Sequence, residues 1–370
     1  MKEVLHDLNN SPEETVKEKS SKSVRRWIFI GIIMLIVQVL LGGITRLTGS
    51  GLSITEWNVV TGTLPPLNNA DWVMEFEKYK ATPQYQLLNT GFTLENFKFI
   101  YFWEWFHRFW ARMIGVVFLV GFIYLIARKS IKKEMQVPLI ALFLLGALQG
   151  AVGWIMVLSG LTGDEVYVKP TRLALHFIFA IGLVAYAYWF YLQLKISEKS
   201  IIYDRSFRKW TIILIFLVTI QLIYGALMAG HRAATAAPTW PDINGYMIPP
   251  GMFSHDPALI NLLDNKITVH FIHRGMAYLL AILMIFYTIK LFRLAKNSAY
   301  IKKYKSVPFV LILVQALLGI FTVLSAPNII PNEWGSFEWF AQLHQLVGML
   351  LFLSLIYFMY IVRKSPSRYR

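Results

Sequence analysis

Eight uninterrupted apolar runs, near residues 27–45, 103–127, 138–158, 173–193, 210–230, 268–289, 308–326 and 339–361, leave this chain very few folds to choose from. A bilayer core about 30 Å thick is crossed by roughly 20 apolar residues in helical form. Inside lipid every backbone amide needs an internal partner, so only helices and closed barrels can span it. The runs are too long and continuous for the alternating strands of a barrel. They are read as helices, and the fold class as an all-α integral membrane protein of eight transmembrane helices. Composition agrees, since only 15% of residues are charged, against about 25% in a soluble domain.

The formal charge of +15 invites a nucleic-acid reading until its placement is considered. Lys and Arg collect in the amino tail, in the loops 128–136, 194–209 and 290–305, and in the carboxyl tail. These segments hold 25 of them, against 8 in the alternate loops. By the positive-inside rule both termini are expected in the cytoplasm. The basic residues then form a collar at the inner leaflet, and nucleic acid is not an expected partner. The amino tail carries Glu3, Asp7, Glu13, Glu14 and Glu18. Transit peptides are poor in acids, so a solvated cytoplasmic tail followed by a retained first span is expected. With no cysteine in the chain, disulfides, thiolate-bound metals and iron–sulfur clusters are excluded.

The sequence also repeats at long range. Gln149 and Gly153 match Gln315 and Gly319, His107-Arg108 matches His273-Arg274, and Val157-Leu158-Ser159 matches Val323-Leu324-Ser325, all at an offset of 166. His176 and His344 differ by 168, and Gln38 and Gln221 by 183. Single matches of this kind arise by chance in apolar sequence; several at one offset point to duplication. The expected organisation is two tandem pseudo-symmetric four-helix bundles. Residues 1–26 form a tail, 27–195 the first half, 196–209 a linker, 210–362 the second half and 363–370 a second tail. The 46–102 loop is expected outside. Its segment Asp71–Lys80 reads as amphipathic, with Trp72, Phe76 and Tyr79 on one face; an interfacial anchor and a lid over a site both fit.

His107, His176, His273 and His344 lie one per even-numbered span, about four to seven residues from the outer end and so roughly 6–10 Å deep. His6, His231 and His255 fall in tail or loops and are read as solvated or structural. An ionisable residue at such depth suggests a functional site. One such histidine alone is more simply a hydrogen-bonded packing residue. Four at one depth, related by a repeat, suit axial pairs for haem iron across a bundle, and the apolar, cysteine-free setting disfavours zinc. His107 with His176, and His273 with His344, are the expected pairs. Glu104, three residues before His107, shares its helix face. The matching position in the second half is His270. A carboxylate there can take a proton or stabilise positive charge; pairing with Arg108 or Arg46 is the plainer alternative. The first half thus reads as chemical and the second as a resident redox site.

These strings carry a family resemblance across nearly the whole chain. Gly42-Gly43-Ile44-Thr45-Arg46-Leu47-Thr48, Ser50-Gly51-Leu52-Ser53, Glu56-Trp57, Thr61-Gly62 with Leu64-Pro65-Pro66, and Glu104-Trp105 with His107-Arg108 resemble the haem A synthase family, in its cysteine-free group that includes the mitochondrial members. The resemblance implies oxidation of a ring methyl of haem O to the formyl group of haem A, by successive hydroxylation and loss of water. His107 and His176 would hold haem O, Glu104 would be the catalytic carboxylate, and His273 and His344 would ligate a resident haem b. Arg46, Arg108, His270 and Arg274 would support them.

Bis-histidine iron offers oxygen no open position, and no Cys is present to drive O–O cleavage. Electron withdrawal from the methyl carbon with capture by water is therefore favoured, with Glu104 handling charge. An external electron acceptor, handover from a membrane-bound haem O synthase, and a homo-oligomer are further expectations. So is a bacterial cytoplasmic membrane, with the haem sites toward its outer face. A di-haem electron-transfer cytochrome or a haem transporter would share the ligands. Neither needs the asymmetric Glu104.

Overall fold

The computed structural model describes residues 12–56, 63–331 and 333–363. Trp57 and Thr61-Gly62 of the outer motif, residues 1–11 with Glu3, His6 and Asp7, and the carboxyl tail from 364 lie outside the described residues. In chain order, leaving aside the short helices Asn261–Asp264 and Ala299–Tyr304, the helices are α1 (Pro12–Leu47), α2 (Asn69–Lys80), α3 (Pro83–Leu88), α4 (Leu94–Ala127), α5 (Lys133–Leu158), α6 (Pro170–Lys195), α7 (Arg205–Gly230), α8 (Lys266–Leu294), α9 (Val307–Ser325) and α10 (Ser336–Ile361). All except α2 and α3 are long and apolar enough to cross a membrane, eight among the described residues. The protein is an all-α, multi-pass membrane protein.

Two helices start before their expected spans, α1 at Pro12 rather than near residue 27 and α4 likewise early. The apolar pattern places the second span from about residue 103, yet α4 begins at Leu94. Two causes extend it. Thr93 and Asn96 form a reciprocal capping box, which satisfies amide donors that a helix start otherwise leaves bare. The extra turns also have a partner. Phe97 stacks on Phe76 and Tyr79 of α2 with ring centroids 5.0 and 5.3 Å apart, and Trp72 meets Tyr101 edge-on at 5.1 Å. The amphipathic segment is therefore a helix whose aromatic face is buried on α4. His107 consequently lies more than three helical turns from the helix start, while His176, His273 and His344 lie about two turns in.

Helices in lipid gain little from the hydrophobic effect and associate through close packing and buried polar contacts. Here α1 packs on α4 and α6, and α5 on α6; α7 packs on α8 and α10, and α9 on α10. The indoles of Trp27 and Trp110 donate to the carbonyls of Val117 and Met34, fastening α1 to α4 at 3.1 and 2.9 Å. Where α6 meets α7 the backbones come so near that a Cβ on Gly230 would sit 2.8 Å from Pro170. The two halves join along α6–α7, α6–α10 and α1–α10. Gln342 and Gln345 of α10 donate to the carbonyls of Leu40 and Val39 on α1, at 3.0 and 2.9 Å.

Burial is uneven along the bundle. Near the basic loops the packing is solid, with Phe207, Leu214, Met284, Leu291 and Leu355 fully buried and the Phe207 and Tyr287 rings stacked 4.8 Å apart. There residues of the 196–209 segment pair with the end of α10. Strand β1 (Ile202–Tyr203) runs parallel to β2 (Val362–Arg363), matching Ile202 with Val362. Apolar side chains such as Val116, Leu119 and Ile123 of α4, and Val310, Leu313 and Leu317 of α9, point outward, as a lipid-facing surface requires.

Candidate haem-binding cavity

Four similar local units surround the buried histidines. Each odd span carries Gln-x-x-x-Gly, and that i, i+4 spacing puts both residues on one helix face. Gln38 and Gly42 of α1 meet His107 of α4; Gln149 and Gly153 of α5 meet His176 of α6. Gln221 and Gly225 of α7 meet His273 of α8; Gln315 and Gly319 of α9 meet His344 of α10. The glycine makes room for the ring: an added Cβ would lie 3.3, 2.7, 3.3 and 2.9 Å from the respective imidazoles. The glutamine amide is the tether. It donates to the backbone carbonyl of His107, His176 and His273 at 3.2, 3.2 and 3.1 Å, and to Nε2 of His344 at 3.2 Å.

The second-half pair has the ring spacing of a metal axis. The rings of His273 and His344 lie in an edge arrangement with centroids 6.3 Å apart and planes inclined at 72°. An atom bound between two imidazoles at about 2.0 Å from each nitrogen sets ring centroids about 6 Å apart. His344 Nδ1 donates to the Gln315 carbonyl at 3.0 Å, so its Nε2 carries the lone pair. His273 Nδ1 is buried without a hydrogen-bond partner, a costly state unless the ring serves a ligand. In the first half His107 and His176 line the same cavity. The residues present therefore suit haem iron.

Glu104 lies beside the first pair, buried and at 2% exposure. One oxygen receives the Arg108 guanidinium at 2.5 Å; the other accepts from the Ser53 amide and hydroxyl, both at 2.7 Å, and from the Ile54 amide at 2.9 Å. The carboxylate is thus held in one orientation by four donors. Its ion-pair partner is Arg108; Arg46 instead donates to the Ala229 carbonyl on α7. The hydroxyl of Ser53 was not among the residues singled out from sequence, although it ends the Ser50-Gly51-Leu52-Ser53 string. Arg108 also donates to the carbonyls of Ile54 and Glu56 at 3.3 Å, tying the loop to α4.

The second half repeats this device with different chemistry. Arg274, four residues after His270, donates from Nε to His270 Nε2 at 3.0 Å and clamps the carbonyls of Asp242, Thr239 and Ala237. The 239–245 turn it grips is itself ordered by Asp242. Hydrogen bonds from the Gly245 amide and the Thr239 hydroxyl hold the Asp242 carboxyl below its ordinary range. Of the loop histidines, His231 is structural, with Nε2 2.7 Å from the Leu263 carbonyl.

Both histidine pairs open into one continuous, largely apolar cavity of about 1480 Å³. That exceeds the roughly 300–1,000 Å³ typical of a pocket for one small ligand. Glu104, Arg46, Arg108, Arg232, His270 and Arg274 all reach its wall. Of the 46–102 segment, its start from Arg46 to Leu52 and, farther on, Gln84, Leu88, Asn89 and Phe92 line it. The aromatic face of α2 does not, so the cover is built from the turn after α1 together with α3 and the turn after it. Gln84 ties that cover down, donating to the Gly49 and Val166 carbonyls at 3.4 and 3.3 Å.

Known proteins of the same kind follow from comparison. The chain is 40% identical over 349 residues to "Heme A synthase" of Cereibacter sphaeroides, covering 90% of this chain and 86% of that protein. It is 41% identical over 305 residues to that of Methylorubrum extorquens, with 82% and 79% covered. Against that of Wolbachia pipientis wMel it is 37% identical, with 94% and 95% covered. Residues 25–356 match the family model COX15-CtaA, described as cytochrome oxidase assembly protein. That match reaches all eight spans and takes in every histidine of the cavity, and the chain belongs to this family.

Proposed function

We propose that the protein is a haem A synthase, an oxidoreductase that converts the ring methyl of haem O to the formyl group of haem A. The observation that carries this reading is the asymmetry of two otherwise similar histidine sites. One has an oriented carboxylate, paired with Arg108, at its edge; the other has an imidazole there, held by Arg274. His107 and His176 hold the iron of haem O, and His273 and His344 hold a resident haem b. A carrier of electrons or of haem needs both pairs but has no use for Glu104 and its four donors.

When bound, haem b would supply one-electron redox chemistry. The chain's own residues do the rest. His107 and His176 fix the iron, and through it which edge of the macrocycle faces Glu104. Loss of hydride equivalents leaves positive charge on the methyl carbon, and a fixed carboxylate beside it stabilises that charge without reorganising. A water that adds to the carbon must shed a proton, and Glu104 is the nearby acceptor. Each of two such hydroxylations takes two electrons to an external acceptor, and the resulting diol loses water to give the aldehyde. The apolar wall keeps bulk water away. Purified protein given haem O and an electron acceptor should yield haem A, read by chromatography of the extracted pigment. Protein that binds haem O and returns it unchanged under those conditions sinks this reading in favour of a carrier.

The basic loops set the expected orientation, in the cytoplasmic membrane of a bacterium with both termini inside and the cavity cover outside. The two halves, 27–195 and 210–362, then act as substrate and redox units. Haem O arriving from a membrane-bound synthase would enter from the lipid, and a homo-oligomer would pair lipid-facing helices. A reporter fused at Arg370 should be active only on the cytoplasmic side; activity only outside reverses the topology.

A further inference from the structure

The two halves differ below the histidines as well as at their edge. In the first half the cavity wall reaches Phe118 on α4 and Ala187 on α6, each 11 residues past its histidine. In the second it stops at Ala281 and Leu351, 8 and 7 residues past theirs. At 1.5 Å per residue that is roughly 16 Å of depth against about 10–12 Å. Matched positions of the repeat give the reason. Where the second half has Leu214, Ile312 and Leu355, all buried, the first has Gly31, Gly146 and Ala187, at offsets of 183, 166 and 168. A Cβ on Gly31 or Gly146 would meet nothing within 4 Å, so the space left by the missing side chains stays open. The helices also part. While α8 packs on α9, their counterparts α4 and α5 are not closely packed among the described residues. The rings of Phe118 and Phe143 meet across the gap at 6.3 Å. Gly115 of α4 and Gly146 of α5 line the cavity and are exposed, so this deeper part opens between the two helices toward the lipid.

We propose that this cleft receives the isoprenoid tail of haem O, and that it sorts the two haems between the two histidine sites. This rests on the reading that His107 and His176 hold haem O. Haem O carries a long isoprenoid chain where haem b has only a vinyl group. The second-half site is closed below its histidines by Leu214, Ile312 and Leu355. A tail there would have to displace packed side chains, and close-packed interiors resist such added volume. A macrocycle with short substituents meets no such obstacle. Lipid is as apolar as the cleft, so a tail gains little from transfer between them. What the cleft supplies is room for the tail while the iron sits between its histidines. A seated tail also holds the macrocycle against turning about the iron axis. The propionates leave the ring on the edge away from the tail, so a tail pointing inward sends them to the outer end of the cavity, where Arg46 and Arg232 line the wall. Apolar tail and anionic edge thus each meet a matching surface in one pose.

The experiment titrates haem O, and separately tailless haem b, into the purified full-length protein and follows uptake by absorbance. Gly146→Ile and Gly31→Leu each put the second-half side chain into the cleft. Each should weaken equilibrium binding of haem O by about 10-fold or more, the scale of an overfilled apolar site. Uptake of the tailless haem and the content of resident haem b should stay at the wild-type level. A haem O analogue with a photoreactive diazirine at the end of its tail tests the wild-type protein directly. It should label the segments 114–118 or 142–150, which line the cleft; if neither variant accumulates, this label decides. Wild-type protein that takes up no haem O refutes the substrate reading and the cleft with it. Where the wild type does take up haem O, unchanged binding in both variants overturns the cleft alone. So does an equal loss of both haems, or label found only on lipid or on the second half.

Discussion

Replacing Glu104 by Gln should cut haem A formation by about 10²-fold or more, the scale of a lost general base, while the protein folds and keeps haem b. The geometry explains why so small a change isolates the chemistry. The Gln carbonyl oxygen can still accept from the Ser53 amide and hydroxyl and from the Ile54 amide, all now within 2.9 Å of one carboxylate oxygen. Only the other oxygen changes partner, because an amide cannot accept from Arg108 on its donor side. Arg108 keeps the Ile54 and Glu56 carbonyls, so the loop stays tied. What disappears is the negative charge and the capacity to take a proton. Unreacted haem O, or a partly oxidised alcohol, should accumulate in the extracted pigment. Normal haem A formation by Glu104→Gln means the carboxylate serves structure alone. Loss of haem b as well would place it in the scaffold.

His273→Ala and His344→Ala should each abolish the bound haem b. Losing a direct ligand should cost more than the roughly 10–100-fold that follows loss of a hydrogen-bonding neighbour. Each substitution also removes one wall of a slot 6.3 Å from ring centre to ring centre, leaving a gap that neighbouring helices cannot close. The absorption spectrum of purified protein gives the answer directly. His107→Ala serves as the control: it should retain haem b and lose haem O binding, because Gln38 and Gly42 act on it from a different helix. A normal bis-histidine haem b spectrum in both His273→Ala and His344→Ala ends the assignment.

Much of the fold was open to reading because lipid allows so few solutions. Length and hydropathy sufficed for eight spans, and the loop charges for their expected direction. The start of α4 was not open in the same way. Its extra turns are polar and aromatic; besides the Thr93 and Asn96 cap they are held by α2, which covers Phe97 and Tyr101, a tertiary cause that local pattern cannot carry. The histidines stood out by depth. Their companions were half visible: Gln149 with Gly153 and Gln315 with Gly319 stood out as a repeat and Gln38 and Gln221 as a spaced pair, but Gly42 and Gly225 look ordinary until the imidazole beside each is seen. Ser53 was hidden for the same reason. Its donors reach Glu104 across 51 positions of chain, and nothing in a loop serine announces that.

The clamp between α10 and α1 has a consequence for biogenesis. Gln342 and Gln345 reach carbonyls on α1 from 302 and 306 positions later in the chain. More than half of α10's apolar stretch is enclosed by the rest of the protein, whereas for α4 the share is 6%. Of the eight spans, the ribosome therefore delivers this pillar last. Until it inserts, α1 lacks its far neighbour and the proposed resident-haem site lacks His344. A nascent chain stalled after α9 can complete only the first-half pair, His107 and His176. Loading of the proposed second site must await insertion of α10, and any quality-control protease has that interval in which to act.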